Sequence, residues 1–263
     1  MRDLLRYRYL FEQMVRRELR QKYQGSALGV LWYLVNPLVL MGAYSVMFGL
    51  VLKSPVKGVT HYPLFILVGI VVWAFFSQSL LSAAPSLIDQ ASLVRKARFP
   101  RETIPGAVVT VQLVIFLALI GIVGPVVLIA QGSFSVSLLL LPLFIACLYG
   151  FTLGLAFCVA VLHAYFRDVA PILAALLLPW FFLTPIFFRA SDFPGSDAHP
   201  WLEPLLRWVN PVAPFIDSIR SVLYDGHGPG LETAGYVVAA AVIVLPAGLT
   251  LFRRMQSELA VAL

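Results

Sequence analysis

"ETIPGAVVTVQLVIFLALIGIVGPVVLIAQGSFSVSLLLLPLFIACLYGFTLGLAFCVAVLHAYFR", Glu102 to Arg167, carries no charged residue between its two ends. A helix needs about 20 apolar residues to cross a hydrocarbon core of roughly 30 Å, and this run has room for two. Its one good turn signal is "AQGSF", Ala130–Phe134, where Gly and Ser interrupt the apolar pattern. The stretch therefore predicts two membrane helices, Thr103–Ala130 and Ser135–Tyr165, joined in a tight hairpin.

The flanking sequence extends the pattern. Of 263 residues, 60% are hydrophobic and 12% charged, with a mean hydropathy of +0.89, outside the range of soluble globular chains. Four more spans are expected at Leu28–Leu52, Pro63–Leu87, Val169–Phe188 and Thr233–Phe252. The fold class is all-α: a membrane protein of six transmembrane helices, with both termini on one side. Residues 1–27 form a separate interfacial segment ahead of a six-span domain, residues 28–263. No cleavable signal peptide is expected, because the first apolar run starts late and is long enough to stay in the membrane.

Positive residues give the orientation. With a cytoplasmic N-terminus, that side holds Arg2, Arg6, Arg8, Arg16, Arg17, Arg20, Lys22, Arg95, Lys96, Arg98, Arg101, Arg167, Arg253 and Arg254, and the other side Lys53, Lys57, Arg189, Arg207 and Arg220. Fourteen against five satisfies the positive-inside rule. The net charge of +6 is thus a topology signal and supports no nucleic-acid partner.

Several chemistries are excluded. There is no G-x-x-x-x-G-K-[ST] phosphate loop, no metal-ligand cluster, no Ser/His/Asp arrangement and no paired-carboxylate site, so neither ATP hydrolysis nor other catalysis is expected of this chain, and no metal or cofactor. None of the thirteen acidic residues falls centrally within a span, which argues against a proton-driven carrier. Cys147 and Cys158 share one span, eleven residues or ~16 Å apart, too far to bridge each other.

Two segments outside the spans carry pattern. In "LLRYRYLFEQMVRRELRQKYQG", Leu4, Tyr7, Leu10, Phe11, Met14, Val15 and Leu19 recur at helical spacing while Arg6, Arg16, Arg17, Arg20 and Lys22 crowd the other side. This predicts an amphipathic helix in the headgroup layer, with Gly25 allowing the turn into the first span. Its cations serve either as a plain anchor or to receive an anionic lipid-linked substrate. In the far-side loop, residues 189–232, prolines break two apolar stretches, Trp201–Val209 and Phe215–Tyr224. Both are too short to span and are expected to lie on the membrane or enter it part-way.

Four fragments in order resemble one family. "RRELRQKYQGSALGVLWYLVNPL" (Arg16–Leu38), "LVRKARFPRETIP" (Leu93–Pro105), "YFRDVAPILAALLLPWFFLTPIFF" (Tyr165–Phe188) and "VNPVAPFIDSIRSVL" (Val209–Leu223) are similar to the type-2 permease subunits of ABC transporters that export O-antigen, capsule, teichoic acid and related glycans. The resemblance covers nearly the whole chain. It implies a homodimer in a bacterial cytoplasmic membrane, served by two copies of a separate ATPase subunit that binds ATP and Mg. It also implies that a cytoplasmic loop, residues 88–102, docks into that ATPase. A short helix from Pro85 or Asp89 to Phe99, stopped by Pro100, would offer Leu93, Val94 and Phe99 as apolar anchors and Arg95, Lys96 and Arg98 as a basic rim.

A glycan on a polyprenyl-diphosphate carrier would enter with its diphosphate near Arg16, Arg17, Arg20 and Lys22. Its export path would use aromatic platforms drawn from Trp32, Tyr33, Tyr44, Trp73, Phe75, Phe76, Trp180, Phe181 and Phe182, although interfacial belts and packing also use such residues. Asn36–Pro37 either kinks the first span toward that path or packs between helices. His163, Arg167 and Asp168 read as a local charge pair or a proton relay. The competing functions are an exporter of drugs or small lipids with the same architecture, and a membrane-embedded enzyme or assembly subunit on the same scaffold.

Overall fold

The computed structural model describes residues 8–23, 32–51, 59–96, 99–190 and 201–256, and among these every regular element is helical. Helix α1 is Arg8–Tyr23 and α2 is Trp32–Tyr44, continued in wider π-type turns over Ser45–Val51. Next come α3, Tyr62–Ala83, and two short helices, α4, Ser86–Asp89, and α5, Ala91–Lys96. Helix α6 is Thr103–Gln131, α7 is Leu141–Tyr165 behind a 3-10 turn at Val136–Leu140, and α8 is Val169–Leu183. Beyond it lie α9, Leu202–Pro204, with π-type turns over Leu205–Val209; α10, Ala213–Arg220, with π-type turns over Ser221–Asp225; and α11, Leu231–Met255. Arg2, Arg6, Gly25, Lys53, Lys57 and Arg98 lie outside the described residues, as do the side chains of Tyr33, Val94, Arg95 and Lys96.

The α6–α7 hairpin forms where the sequence signals it. Gly132 takes φ 65°, a left-handed geometry that glycine adopts without a Cβ penalty, and its N–H closes α6 onto the Leu128 carbonyl. The Ser135 side chain then accepts from the Ser137 N–H to start the next turn.

Helices α3 and α6, the segment Val136–Tyr165 and helix α11 are long and apolar enough to cross a membrane. The other two expected spans contain shorter apolar helices, Leu34–Gly49 and Val169–Leu183. The fifth expected span, drawn to Phe188, is corrected: α8 stops at Leu183 because Thr184 precedes Pro185, whose ring disfavours helical geometry at the preceding residue, and Thr184 is extended at ψ 136°.

Helix α3 sits at the centre, buried along most of its length against α2, α6, α7, α8 and α10. The tightest pair is α7 with α11. Gly150 and Gly154, spaced G-x-x-x-G, face α11. A Cβ on Gly154 would collide with the Val244 carbonyl, and one on Gly248 with the backbone of Gly154, so the helices touch backbone to backbone as small-residue motifs allow in membranes. The two far-side segments differ in depth. Trp201, Leu205 and Val209 remain exposed, whereas Phe215, Ile216, Ile219, Val222 and Leu223 are buried, with α10 packed against α3, α7 and α11. The second segment is therefore packed into the helix bundle, and the first lies on its surface.

Candidate functional site

Helix α1 lies across α6 at one end of the bundle. It buries Met14, half-buries Leu10, Phe11, Val15 and Leu19, and leaves Arg16, Arg17 and Arg20 exposed. Phe11 packs over Gly106. Beneath α1 is a second, smaller apolar core of Leu87, Ile104, Phe157, Val161 and Phe252. Arg16 pairs with Glu12 one turn earlier at 2.6 Å. Lys22 is partly enclosed: burial pushes its ammonium below the usual lysine range, and the Glu18 carboxylate pulls it part of the way back.

The loop expected to dock an ATPase is fastened to this platform. The single helix expected from Pro85 or Asp89 to Phe99 is corrected to two short ones broken at Gln90, whose side chain leaves the helix direction to donate to Glu18 Oε1 on α1 at 2.8 Å. Thr103 Oγ1 donates to the Pro100 carbonyl at 2.7 Å, closing the turn into α6. Arg253 Nη2 on α11 reaches Glu102 at 2.9 Å, Arg101 donates to the Gln256 carbonyl, and the Tyr165 hydroxyl donates to the Met255 carbonyl at 2.5 Å. Leu93 and Phe99 are half-buried, packed on the smaller core. Part of Leu93 and of Phe99 is thus spent on the chain's own core, and that packing holds the loop at a fixed height.

Next to the platform, α2, α3 and α6 enclose a lateral cleft of about 450 Å³ whose lining includes Trp32, Asn36, Pro37, Phe75, Gln78 and Gln112. Gln112 Nε2 donates to Ser82 Oγ at 3.0 Å. The side-chain amides of Asn36 and Gln78 have no hydrogen-bond partner among the described residues. Pro37 stands inside α2 and is buried.

The expected path aromatics divide. Trp32 is 55% exposed at the cleft, while Trp73, Phe75, Phe76 and Phe181 are buried in the core. Phe76 stacks with Phe151 and meets Trp73 and Trp180; Phe75 packs on Phe116. Tyr44 is half-buried in a cluster with Phe48, Phe181, Phe182 and Phe187. Trp180, also half-buried, donates its indole N–H to Asn210 Oδ1 at 3.0 Å. The expected charge pair near His163 is corrected as well. Among the described residues no ion pair joins Arg167 to Asp168, both exposed; His163 is buried and its Nδ1 accepts from the Ala170 N–H at 3.3 Å, capping the start of α8.

At the opposite end, sequence reading missed two residues. Arg220 is 3% exposed. Its Nη1 and Nη2 each donate at 3.0 Å, to the carbonyls of Pro185 and Ile186 that the end of α8 sets free. Its guanidinium stands 3.7 Å over the Phe65 ring, and Gly69 leaves it room, since a Cβ there would come to 2.6 Å of Nη2. The available signal was spacing: Arg220 falls four residues after Ile216 and three before Leu223, on the inward face of an apolar helix. Asn210 is the other. Its Nδ2 donates to Thr184 Oγ1 at 2.9 Å and its Oδ1 also accepts from the Val212 N–H at 3.1 Å, knotting the end of α8 to the start of α10.

The sequence profile of the family described as ABC-2 type transporter matches residues 9–224. Over 98% of its length the chain is 31% identical to the O-antigen export system permease protein RfbA of Myxococcus xanthus, covering 97% of that protein. It is 26% identical to an O-antigen export system permease protein RfbA of Klebsiella pneumoniae, with 96% of this chain and 95% of that one aligned. The polysialic acid transport protein KpsM of Escherichia coli is 23% identical, with 94% of each chain aligned.

Proposed function

Because the chain belongs to the ABC-2 type transporter family, whose membrane permeases pair with separate ATPase subunits, we propose that it is the spanning subunit of an ATP-driven exporter of a lipid-linked polysaccharide, O-antigen or a related envelope glycan on a polyprenyl-diphosphate carrier. The observation that carries this reading is the end-to-end similarity to an O-antigen export permease, which includes both the basic α1 segment and α10.

In this reading two protomers and two ATPase copies form the exporter. The loop around Leu93, Phe99 and Pro100 docks the ATPase, and its ties to α1 through Gln90 and to α11 through Glu102 pass the motion of the ATPase to the ends of α1, α6 and α11. Arg16, Arg17, Arg20 and Lys22 receive the diphosphate and the surrounding anionic headgroups. The unpartnered amides of Asn36 and Gln78 support a polar passage beside the cleft, since hydrocarbon penalises an unsatisfied amide by several kcal/mol. Trp32 supplies a sugar-stacking face there, and Tyr44 and Trp180, half-buried away from the cleft, are the remaining candidates. The platform end faces the cytoplasm, by the charge asymmetry.

Deleting the gene should remove the glycan from the cell surface and leave lipid-linked glycan inside. Unchanged surface glycan would overturn the reading in favour of a drug or small-lipid exporter, which the apolar wall of the cleft would also suit. Orientation is tested by impermeant thiol labelling of intact cells carrying Phe134→Cys or Arg254→Cys: the exposed hairpin position 134 should react and position 254 should not.

A further inference from the structure

At the end away from α1, a cavity of about 170 Å³ lies between the unwound tail of α8 and α10. Roughly 10–15 Å³ suffices for one water, so this space admits a small organic ring. Its walls carry both signs of charge: the guanidiniums of Arg189, Arg207 and Arg220 and the carboxylates of Glu203 and Asp217, with Phe188 as an apolar side. Arg189 is already matched by Asp225 at 2.6 Å. With that partner counted, three cations face three acids, and the site has no net charge.

That balance decides the class of ligand. An anion would meet Glu203 and Asp217, a cation would meet three guanidiniums, and an apolar molecule would strip water from all of them without replacing its hydrogen bonds. A neutral ring rich in hydroxyls fits: its O–H groups donate to the two carboxylates, its oxygens accept from the arginines, and its C–H face lies on Phe188. The cavity is also built rather than incidental. Arg220 lines it while buried, and its Nε has no acceptor. The carboxylates of Glu203 and Asp217 make no hydrogen bond or ion pair among the described residues. Arg207 is held at the wall by Thr233 Oγ1 at 3.3 Å and by the Trp208 ring at 4.9 Å.

We propose that this cavity is a binding site for one neutral sugar residue, holding the glycan at the end of the permease opposite its ATPase platform. The role in export rests on the reading given under Proposed function; the binding chemistry does not. Glu203 holds no part of the fold together, so its amide is the clean probe; Asp217 also offsets the charge of the buried Arg220, so the double variant is compared with the parent at equal thermal stability.

The test uses the full-length permease with its ATPase in lipid nanodiscs, and polysaccharide released by mild acid from the envelope of the strain that carries the gene. Binding is followed by tryptophan fluorescence, to which Trp208 beside Arg207 should respond. The parent should bind, Glu203→Gln with Asp217→Asn should weaken binding at least tenfold, and inorganic phosphate should not compete. In cells the double variant, at equal abundance, should lower surface glycan severalfold. Unchanged binding by the double variant, or displacement of the glycan by phosphate, would overturn the sugar site while leaving the export reading intact. If gene deletion leaves surface glycan unchanged, the export reading itself fails and with it the proposed role of the site.

Discussion

The two ends of the molecule use arginine in opposite ways. On the platform, Arg16 and its partner Glu12 are 61% and 55% exposed; such a pair contributes roughly 0–1 kcal/mol and is screened by salt. What holds α1 there is apolar packing of Met14 and Phe11. At the other end Arg220 is buried, and its hydrogen bonds to the Pro185 and Ile186 carbonyls, not an ion pair, fix α10 against the end of α8. The first end presents charge to whatever lies outside it. The second consumes charge to complete its own backbone hydrogen bonding, and this difference predicts which substitutions the fold will tolerate.

Arg220→Met should have the largest effect. It strands two buried carbonyls and removes a cation from an aromatic face, a loss of about 3–5 kcal/mol by analogy with breaking a buried charged pair. Membrane abundance and thermal unfolding in detergent should both drop sharply; a variant as stable as the parent would erase the contrast between the ends. Phe99→Ala comes next. Because Phe99 packs on the smaller core, the loop loses its fixed position, and ATPase co-purification should fall by the equivalent of about 2 kcal/mol. Co-purification at the parental level, with permease abundance held equal, would show that the loop does not dock through this residue.

Replacing Arg16, Arg17 and Arg20 together by Gln should leave unfolding nearly unchanged but weaken capture of anionic lipid by about 1 kcal/mol per cation. Binding of the permease to vesicles with and without anionic lipid reads this directly, and a large loss of thermal stability would mean that the platform arginines are structural after all. The smallest effect belongs to Glu12→Gln, which breaks only the exposed pair with Arg16, under about 1 kcal/mol in stability and vanishing in high salt.

Much of the fold was legible because it depends on patterns local to the chain. The uncharged run from Glu102 to Arg167 and the glycine at 132 announced the hairpin, and the alternation of Phe11, Met14 and Val15 with arginines announced α1. The end of α8 was equally local, since Thr184–Pro185 is a stop, but the apolar run through Phe188 masked it: hydropathy reports what a segment dissolves in, not where its backbone turns. The candidate site was less legible, because its residues differ in neighbours rather than in type. Trp32 and Phe76 look alike to composition, yet one is exposed at the cleft and the other is sealed among Phe151, Trp73 and Trp180. Counting positive charges placed Arg220 with the far-side loop, but only the fold shows that carbonyls await it there.

The early stop of α8 also bears on the bilayer. Fifteen residues rise about 22 Å, short of a hydrocarbon thickness of roughly 30 Å, and the backbone beyond Leu183 can end at that depth because Arg220 and Asn210 take up its polar groups. A short helix draws the surrounding lipid down to meet it. The expected result is a local dimple in the membrane beside α8, which shortens the hydrophobic distance a hydrated passenger must cover at that flank. Transport reconstituted in lipids of graded acyl length should then be fastest in thinner bilayers and slow steadily as the lipid thickens, whereas a rate indifferent to acyl length would mean that α8 is shielded from lipid altogether.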